Sequence, residues 1–259
     1  MTGAADSAAP VRLRLDVRYD GSDFSGWAAQ PGRRTVQGTL EHALATVLGV
    51  AQPRLTVAGR TDAGVHALGQ VMHIYVDGDV REKPEELKRR LNEMLPADIA
   101  ILQVERERHT FHARRDAQSR TYIYQISTRK QAFIKKHVWW VKEPLDVKAM
   151  SRCAAAIAGR HDFTCFHAPD PSRPHESTVV EVLSAEIEVE DDIIQFRIEA
   201  SHFIWRMVRR LVGALVKVGK GELAEKDFAK LLAGQCSSEL DVAAWTAPSS
   251  GLFLENVRY

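Results

Sequence analysis

"GRTDAGVHALGQVMHIYV", Gly59 to Val76, opens as a loop and closes as an apolar segment, and the assignment of its two sides decides the fold. "LGQVMHIYV" reads as a strand, and "RLTVAG", just ahead of the loop, as a shorter one. Upstream, Val11, Leu13, Leu15, Val17 and Tyr19 alternate with polar residues, the period of a half-buried strand, and "DGSDFSG" punctuates its end. Thr35 then caps a helix whose residues Val36, Leu40, Ala43, Leu44, Val47 and Leu48 share one face, and Gly49 stops it. Downstream, Pro84 starts a second helix with Leu87, Leu91, Met94 and Leu95 inward, and "IAILQVE" returns as a strand. The order is βαββαβ, a ferredoxin-like unit.

The remaining chain repeats that order without visible sequence repetition. "RTYIYQIS" is a strand, Asp146 caps a helix carrying Met150, Ala154 and Ile157, and Gly159 lies just past it. "VVEVLSAEIEVEDDIIQFRIEA" reads as two strands joined at Asp191-Asp192. A helix over 203–218, another over 224–233 and a strand "GLFLENV" complete an α+β chain. The expected division is a disordered tail at 1–10, an α+β half at 11–108 holding the Asp62 loop, and an α+β half at 109–259. A cleft between packed halves is the natural place for a site.

Composition narrows the function classes. The 259 residues are 45% hydrophobic and 27% charged, ordinary for a globular protein. Lys and Arg total 35 against 34 Asp and Glu, so a nucleic-acid partner would need a local basic surface. The start lacks the pattern of a secretory signal, and no apolar run approaches the roughly 18 residues of a membrane span, so a soluble cytoplasmic protein is expected. Cys153, Cys165 and Cys236 share no C-x-x-C spacing and are expected to be reduced packing residues.

An isolated R-T-D-A-G is usually a solvated turn, because Asp bonds nearby amides and Gly tolerates positive φ. Here the loop joins two strands of one sheet, where a side chain can be held rigidly, and Gly59 and Gly64 leave room for close backbone approach. A candidate basic partner for Asp62 lies in "SHFIWRMVRRLVGALVKVGK". Ile204, Val208, Leu211, Leu215 and Val218 form its apolar stripe, with Arg206, Arg210, Lys217 and Lys220 on an exposed opposite face. Arg209 sits on the margin of the stripe. Partial burial against a carboxylate and snorkelling along Trp205 are equally compatible with that position.

Tyr122 and Tyr124 share a strand face with Arg120, an aromatic-basic arrangement suited to single-stranded bases and their phosphates, although core packing accounts for at least one tyrosine. Arg114 and Arg115 in "HTFHARRD", with Arg33 and Arg34 in "PGRR", extend this candidate RNA surface. "ALVKVGKGE" is a near miss to a phosphate-binding loop, with Ala214 at the first glycine position and Gly221 where Ser or Thr would hold magnesium. His161, His167 and His175 lack zinc spacing. Neither a metal nor a cofactor is expected.

Five blocks, "YDGSDFSGWAAQPGRRTVQGTLEHAL", "GRTDAGVHALGQV", "FHARRDAQSRTYIY", "FIWRMVRRLVGALVKVG" and "APSSGLFLENVRY", resemble in order those of the TruA-type tRNA pseudouridine synthases. The resemblance runs from Val11 to Tyr259. It implies isomerisation of uridine to pseudouridine at positions 38, 39 and 40 of the tRNA anticodon arm by a cofactor-free homodimer. It also implies the pseudouridine synthase fold, two ferredoxin-like halves in a continuous mixed sheet with a central basic cleft. Carried over by motif, Asp62 is the catalytic aspartate, Tyr122 the active-site tyrosine, Arg209 the basic partner of the aspartate, and Arg60 an RNA-placing residue. Many relatives read F-L-R-H-M-V-R where this chain has Phe203 to Arg209, and often Arg where Ser177 precedes Thr178, so RNA contacts in the 167–178 loop differ from the family pattern. A noncatalytic RNA-binding protein would not need the carboxylate, which repels phosphate. A glycoside hydrolase would usually need a second, suitably spaced acid, and none stands out.

Overall fold

The computed structural model describes residues 11–76, 82–170 and 175–259, and the tail at 1–10 lies outside them. The chain forms two compact units, one up to Ala117 together with Tyr259, the other from Gln118 to Arg258.

The first unit comprises β1 (Val11–Tyr19), α1 (Val36–Leu48), β2 (Arg54–Val57), β3 (His66–Val76), α2 (Pro84–Met94) and β4 (Ile99–Glu107). Its strands run in the order β4-β1-β3-β2, antiparallel throughout, which is the ferredoxin-like order. The local signals act as expected at both ends of α1: the Thr35 side chain accepts from Gly38 N–H, and Gly49 takes φ 68°. Leu13, Leu15 and Val17 are buried with Leu40, Leu44, Leu87 and Leu91. Met94 departs from expectation and is 44% exposed, because it occupies the last turn of α2 while Leu95, at the cap, turns inward.

Burial also reaches the polar residues Arg12 and His73 in this sheet, beside the exposed Tyr75. The Arg12 guanidinium lies 3.8 Å from the Tyr75 ring centroid. His73 Nδ1 accepts from Ala113 N–H at 3.1 Å, and the Tyr259 hydroxyl donates to Ala113 O at 2.6 Å, so the turn after β4 is fastened to the sheet. With His73 fully enclosed, burial first, then the charges of Arg12 and His112, lower its pKa to about 4. The native ring therefore stays neutral where the unfolded one, near about 6.5, takes up a proton. Stability is expected to fall as pH drops from about 6.5 through about 4, by up to about 3 kcal/mol from this group. Urea midpoints across that range should slope less in His73→Asn, whose side-chain oxygen can still accept from Ala113. Equal slopes in both proteins would remove His73 as the source.

The second unit comprises β5 (Ser119–Ser127), β6 (Trp139–Trp140), α3 (Val147–Ala155), β7 (Gly159–Asp162), β8 (Val179–Glu190), β9 (Ile193–Ala200), α4 (Met207–Gly219), α5 (Glu225–Leu232) and β10 (Leu252–Arg258). Its sheet runs β10-β5-β9-β8, antiparallel, the same order as in the first unit, with β7 added beyond β8 and the short β6 parallel to β5. Asp146 caps α3 through Ala149 N–H, and Asp191, at φ 51°, turns β8 into β9.

Three expectations fail in this unit. The helix expected over 203–218 begins only at Met207, because Arg206 takes the left-handed conformation at φ 62° and interrupts any helix upstream. Arg210 belongs to no exposed face: it is 8% exposed, and its Nη1 donates to His167 O, since the loop after β7 covers that side of α4. Cys165 and Cys236 form a disulfide with Cα atoms 5.3 Å apart, leaving Cys153 free and buried. The fold brings together two cysteines whose spacing carries no pairing signal. Among the described residues, no helix is long and apolar enough to cross a membrane.

Candidate active site

Asp62 stands on the connection between β2 and β3, and buried hydrogen bonds hold the backbone on both sides of it. The Tyr19 hydroxyl lies 2.7 Å from Thr61 Oγ1, and Trp27 N–H donates to Thr61 O at 3.0 Å. Gln70 Nε2 donates to Gly59 O at 2.8 Å, while Val65 N–H donates to Asp62 O at 3.2 Å and closes the turn. Gly64, in that turn, has φ 75°. The partner segment is the stretch after β1 that reads as simple punctuation. A Cβ on Gly21 would stand 1.9 Å from Val65 O, and one on Gly26, at φ 91°, 3.1 Å from both Ala63 N and Thr61 O. The glycines that permit the close approach are thus Gly21 and Gly26, whereas a Cβ on Gly59 would meet nothing within 4 Å.

Thr61 is buried, Asp62 half-buried and Arg60 exposed, so the loop backbone is fixed while the carboxylate-bearing residue reaches the surface. Burial pushes the Tyr19 hydroxyl up to about 12, against the lowering effect of its bonds to Thr61 and Gln70. It stays a neutral brace at physiological pH. Tyr19 and Gln70 escaped the sequence reading because a tyrosine closing a strand and a glutamine inside one look like ordinary strand residues.

In the second unit, Tyr122 lies on β5 between Leu254 of β10 and Ile198 of β9, nine-tenths buried, with the Phe203 ring edge-on at 5.0 Å. Tyr124, two residues on, is the core tyrosine: it is fully enclosed and donates to Pro248 O at 2.7 Å. Burial raises its pKa, and the charge of Arg209 pulls the other way. Arg209, half-buried on α4, is clasped by the segment before β10: its Nε donates to Ala247 O at 2.7 Å, and its carbonyl accepts from Ala247 N–H at 3.0 Å. The Arg206 guanidinium lies 5.0 Å from the Trp205 ring. Gly213 lets this segment come close, since a Cβ there would lie 1.8 Å from Trp245 O.

The candidate RNA-binding arginines divide by environment. Arg33, Arg114 and Arg115 are exposed. Arg34 makes two hydrogen bonds to Asp98, at 2.8 and 2.9 Å, and lies 4.0 Å from the Phe24 ring, so its charge is largely answered locally. Arg120 is half-buried and donates to Ser201 O at 2.9 Å. In the atypical loop, Thr178 Oγ1 bonds Asp162 at 2.6 Å and Ser177 Oγ accepts from Val179 N–H at 3.2 Å. Residues 171–174 of that loop lie outside the described residues.

Set beside known sequences, the chain falls in an isomerase class. A family model described as tRNA pseudouridine synthase matches residues 16–116 and 153–259, and the chain belongs to that family, with its α+β fold. Similar curated proteins include tRNA pseudouridine synthase A of Halalkalibacterium halodurans, 37% identical over 243 residues, covering 93% of this chain and 90% of that one. The protein of the same name from Gloeobacter violaceus is 40% identical over 261 residues, covering 99% and 83%. That from a Thermotoga species is 37% identical over 252 residues, covering 96% and 99%.

Proposed function

We propose that this enzyme converts uridine to pseudouridine at positions 38, 39 and 40 of the tRNA anticodon arm, with Asp62 as its catalytic carboxylate, and that it works as a cytoplasmic homodimer. The observation that carries the reading is the Asp62 loop. Its backbone is pinned through Thr61, Gly59 and Val65, so the one carboxylate in "GRTDAGVH" has a fixed origin from which to reach a ribose. The choice of positions rests on the five sequence blocks shared with the TruA type and on relatives that carry the synthase A name.

The reaction breaks the bond from N1 to C1′, the electron pair leaving with the uracil, and then forms a bond from C5 to C1′. The C5 proton departs and N1 acquires one, so no atom is gained or lost. The target nucleotide must leave the base stack before any of this. In this reading Asp62 acts on the ribose, by attacking C1′ or by taking a ribose proton. Tyr122 lies against the detached base, its hydroxyl placed to help remove the C5 proton. Arg209 balances the carboxylate, and Arg60 holds the backbone or fills the vacated place. Arg33, Arg114, Arg115 and Arg120 supply positive charge for phosphates.

The test is direct. Purified protein incubated with an unmodified tRNA transcript, without added metal or nucleotide, should yield pseudouridine at positions 38 to 40 by chemical labelling and mapping. Pseudouridine confined to another arm would overturn the assignment of positions.

A further inference from the structure

The connection from β5 to α3 takes no part in the chemistry above, yet it has an unusual surface. From 128 to 142 it carries Arg129, Lys130, Lys135, Lys136 and Lys142 and not one acidic residue. The Phe133 ring in its midst is 100% exposed, and Ile134 beside it is 37% exposed. A phenylalanine wholly in water forfeits its burial, and here it stands among lysines, the pairing of aromatic and cation that stacking platforms use.

The base of this excursion is firmly held. Val141 N–H donates to Ser127 O at 3.0 Å, Ser127 Oγ donates to Arg129 O at 2.6 Å, and Val138 and Val141 are buried. At the outer edge, Trp140 gathers two cations: Lys130 Nζ lies 5.8 Å and Lys142 Nζ 5.3 Å from its ring centroid. The nearest acid in sequence, Glu143, is bound to Lys220 at 2.9 Å. The result is a braced stem with a fixed cationic spot and a bare aromatic tip.

We propose that this connection is a second RNA contact, in which Phe133 stacks on an unpaired base of the tRNA and the lysines gathered by Trp140 hold a neighbouring phosphate. It rests on the reading that tRNA is the substrate, and it adds a contact which that reading does not use. The charge pattern favours RNA over another protein surface, since interface cores are depleted in lysine, while stacking platforms for single strands combine aromatics with cations.

Phe133→Ala should weaken binding of a full-length tRNA transcript about 5- to 100-fold, and Phe133→Trp should restore it. The Lys130→Gln, Lys142→Gln double variant should lower the slope of log affinity against log salt by about 1 to 2. At saturating tRNA, kcat should stay within about twofold of wild type in all three, because these groups act on binding and not on the chemical step. Restoration by Phe133→Leu as fully as by Trp, or conversion of Phe133→Ala to a smaller oligomer by light scattering, would overturn the proposal and assign the tip to contact between copies of the chain. Wild-type activity on the same transcript separates the two readings. An active wild type whose Phe133→Ala variant binds unchanged overturns this contact alone, and a wild type that neither binds nor modifies the tRNA overturns both.

Discussion

Asp62→Asn is expected to lose pseudouridine formation by about 10³-fold or more while folding and tRNA binding stay near wild type. An amide matches the carboxylate in size but is neither nucleophile nor base. The bond closing the turn uses the Asp62 backbone carbonyl, and the Tyr19 brace falls on Thr61, so the substitution removes neither. Single-turnover rates with excess enzyme, taken alongside filter-binding affinities, check both halves. Turnover within tenfold of wild type would take Asp62 out of the mechanism, and a melting temperature well below wild type would show that the side chain, too, supports the loop.

Tyr122→Phe is expected to bind tRNA normally and turn over about 10²- to 10⁴-fold more slowly, the range for losing acid-base help. The ring keeps its edge-on contact with Phe203 and its place between Leu254 and Ile198, so packing should survive the loss of one oxygen. Tyr122→Ala, in contrast, should also lose roughly 1 to 3 kcal/mol of stacking on the base. A substrate deuterated at C5 of uridine discriminates further: an isotope effect that grows in Tyr122→Phe places the hydroxyl at the C5 proton. Wild-type rates from the same variant would show that the ring alone suffices and that another group collects the proton.

The sequence displayed its local signals openly and its tertiary ones hardly at all. Alternation in β1, the Thr35 and Asp146 caps and the stop at Gly49 are written within a few residues of where they act, so the elements they set were legible. Arg210 was misplaced because a helical wheel shows only one helix, and the loop through His167 that covers this arginine comes from about 43 positions away. The Cys165–Cys236 pair was invisible for the same reason. At the candidate site, Asp62 announced itself through its motif, whereas the Tyr19 hydroxyl and the Gly21 and Gly26 contacts that hold the motif arise only when β1 and the following turn fold against it.

The disulfide has a topological consequence. Cys165 and Cys236 are 71 positions apart, and the chain between them contains β8, β9, α4 and α5, hence Arg209, while Asp62 and Tyr122 lie outside it. Covalently, that stretch is a closed ring with two tails. Closing a ring of this size removes about 4 kcal/mol of freedom from the unfolded chain on the loop-entropy view, and all of it is confined to the segment that carries the arginine. One backbone cut inside the ring leaves the fragments tethered, whereas one cut near Asp62 releases a separate piece; the two ends of the proposed chemistry thus differ in how they survive damage.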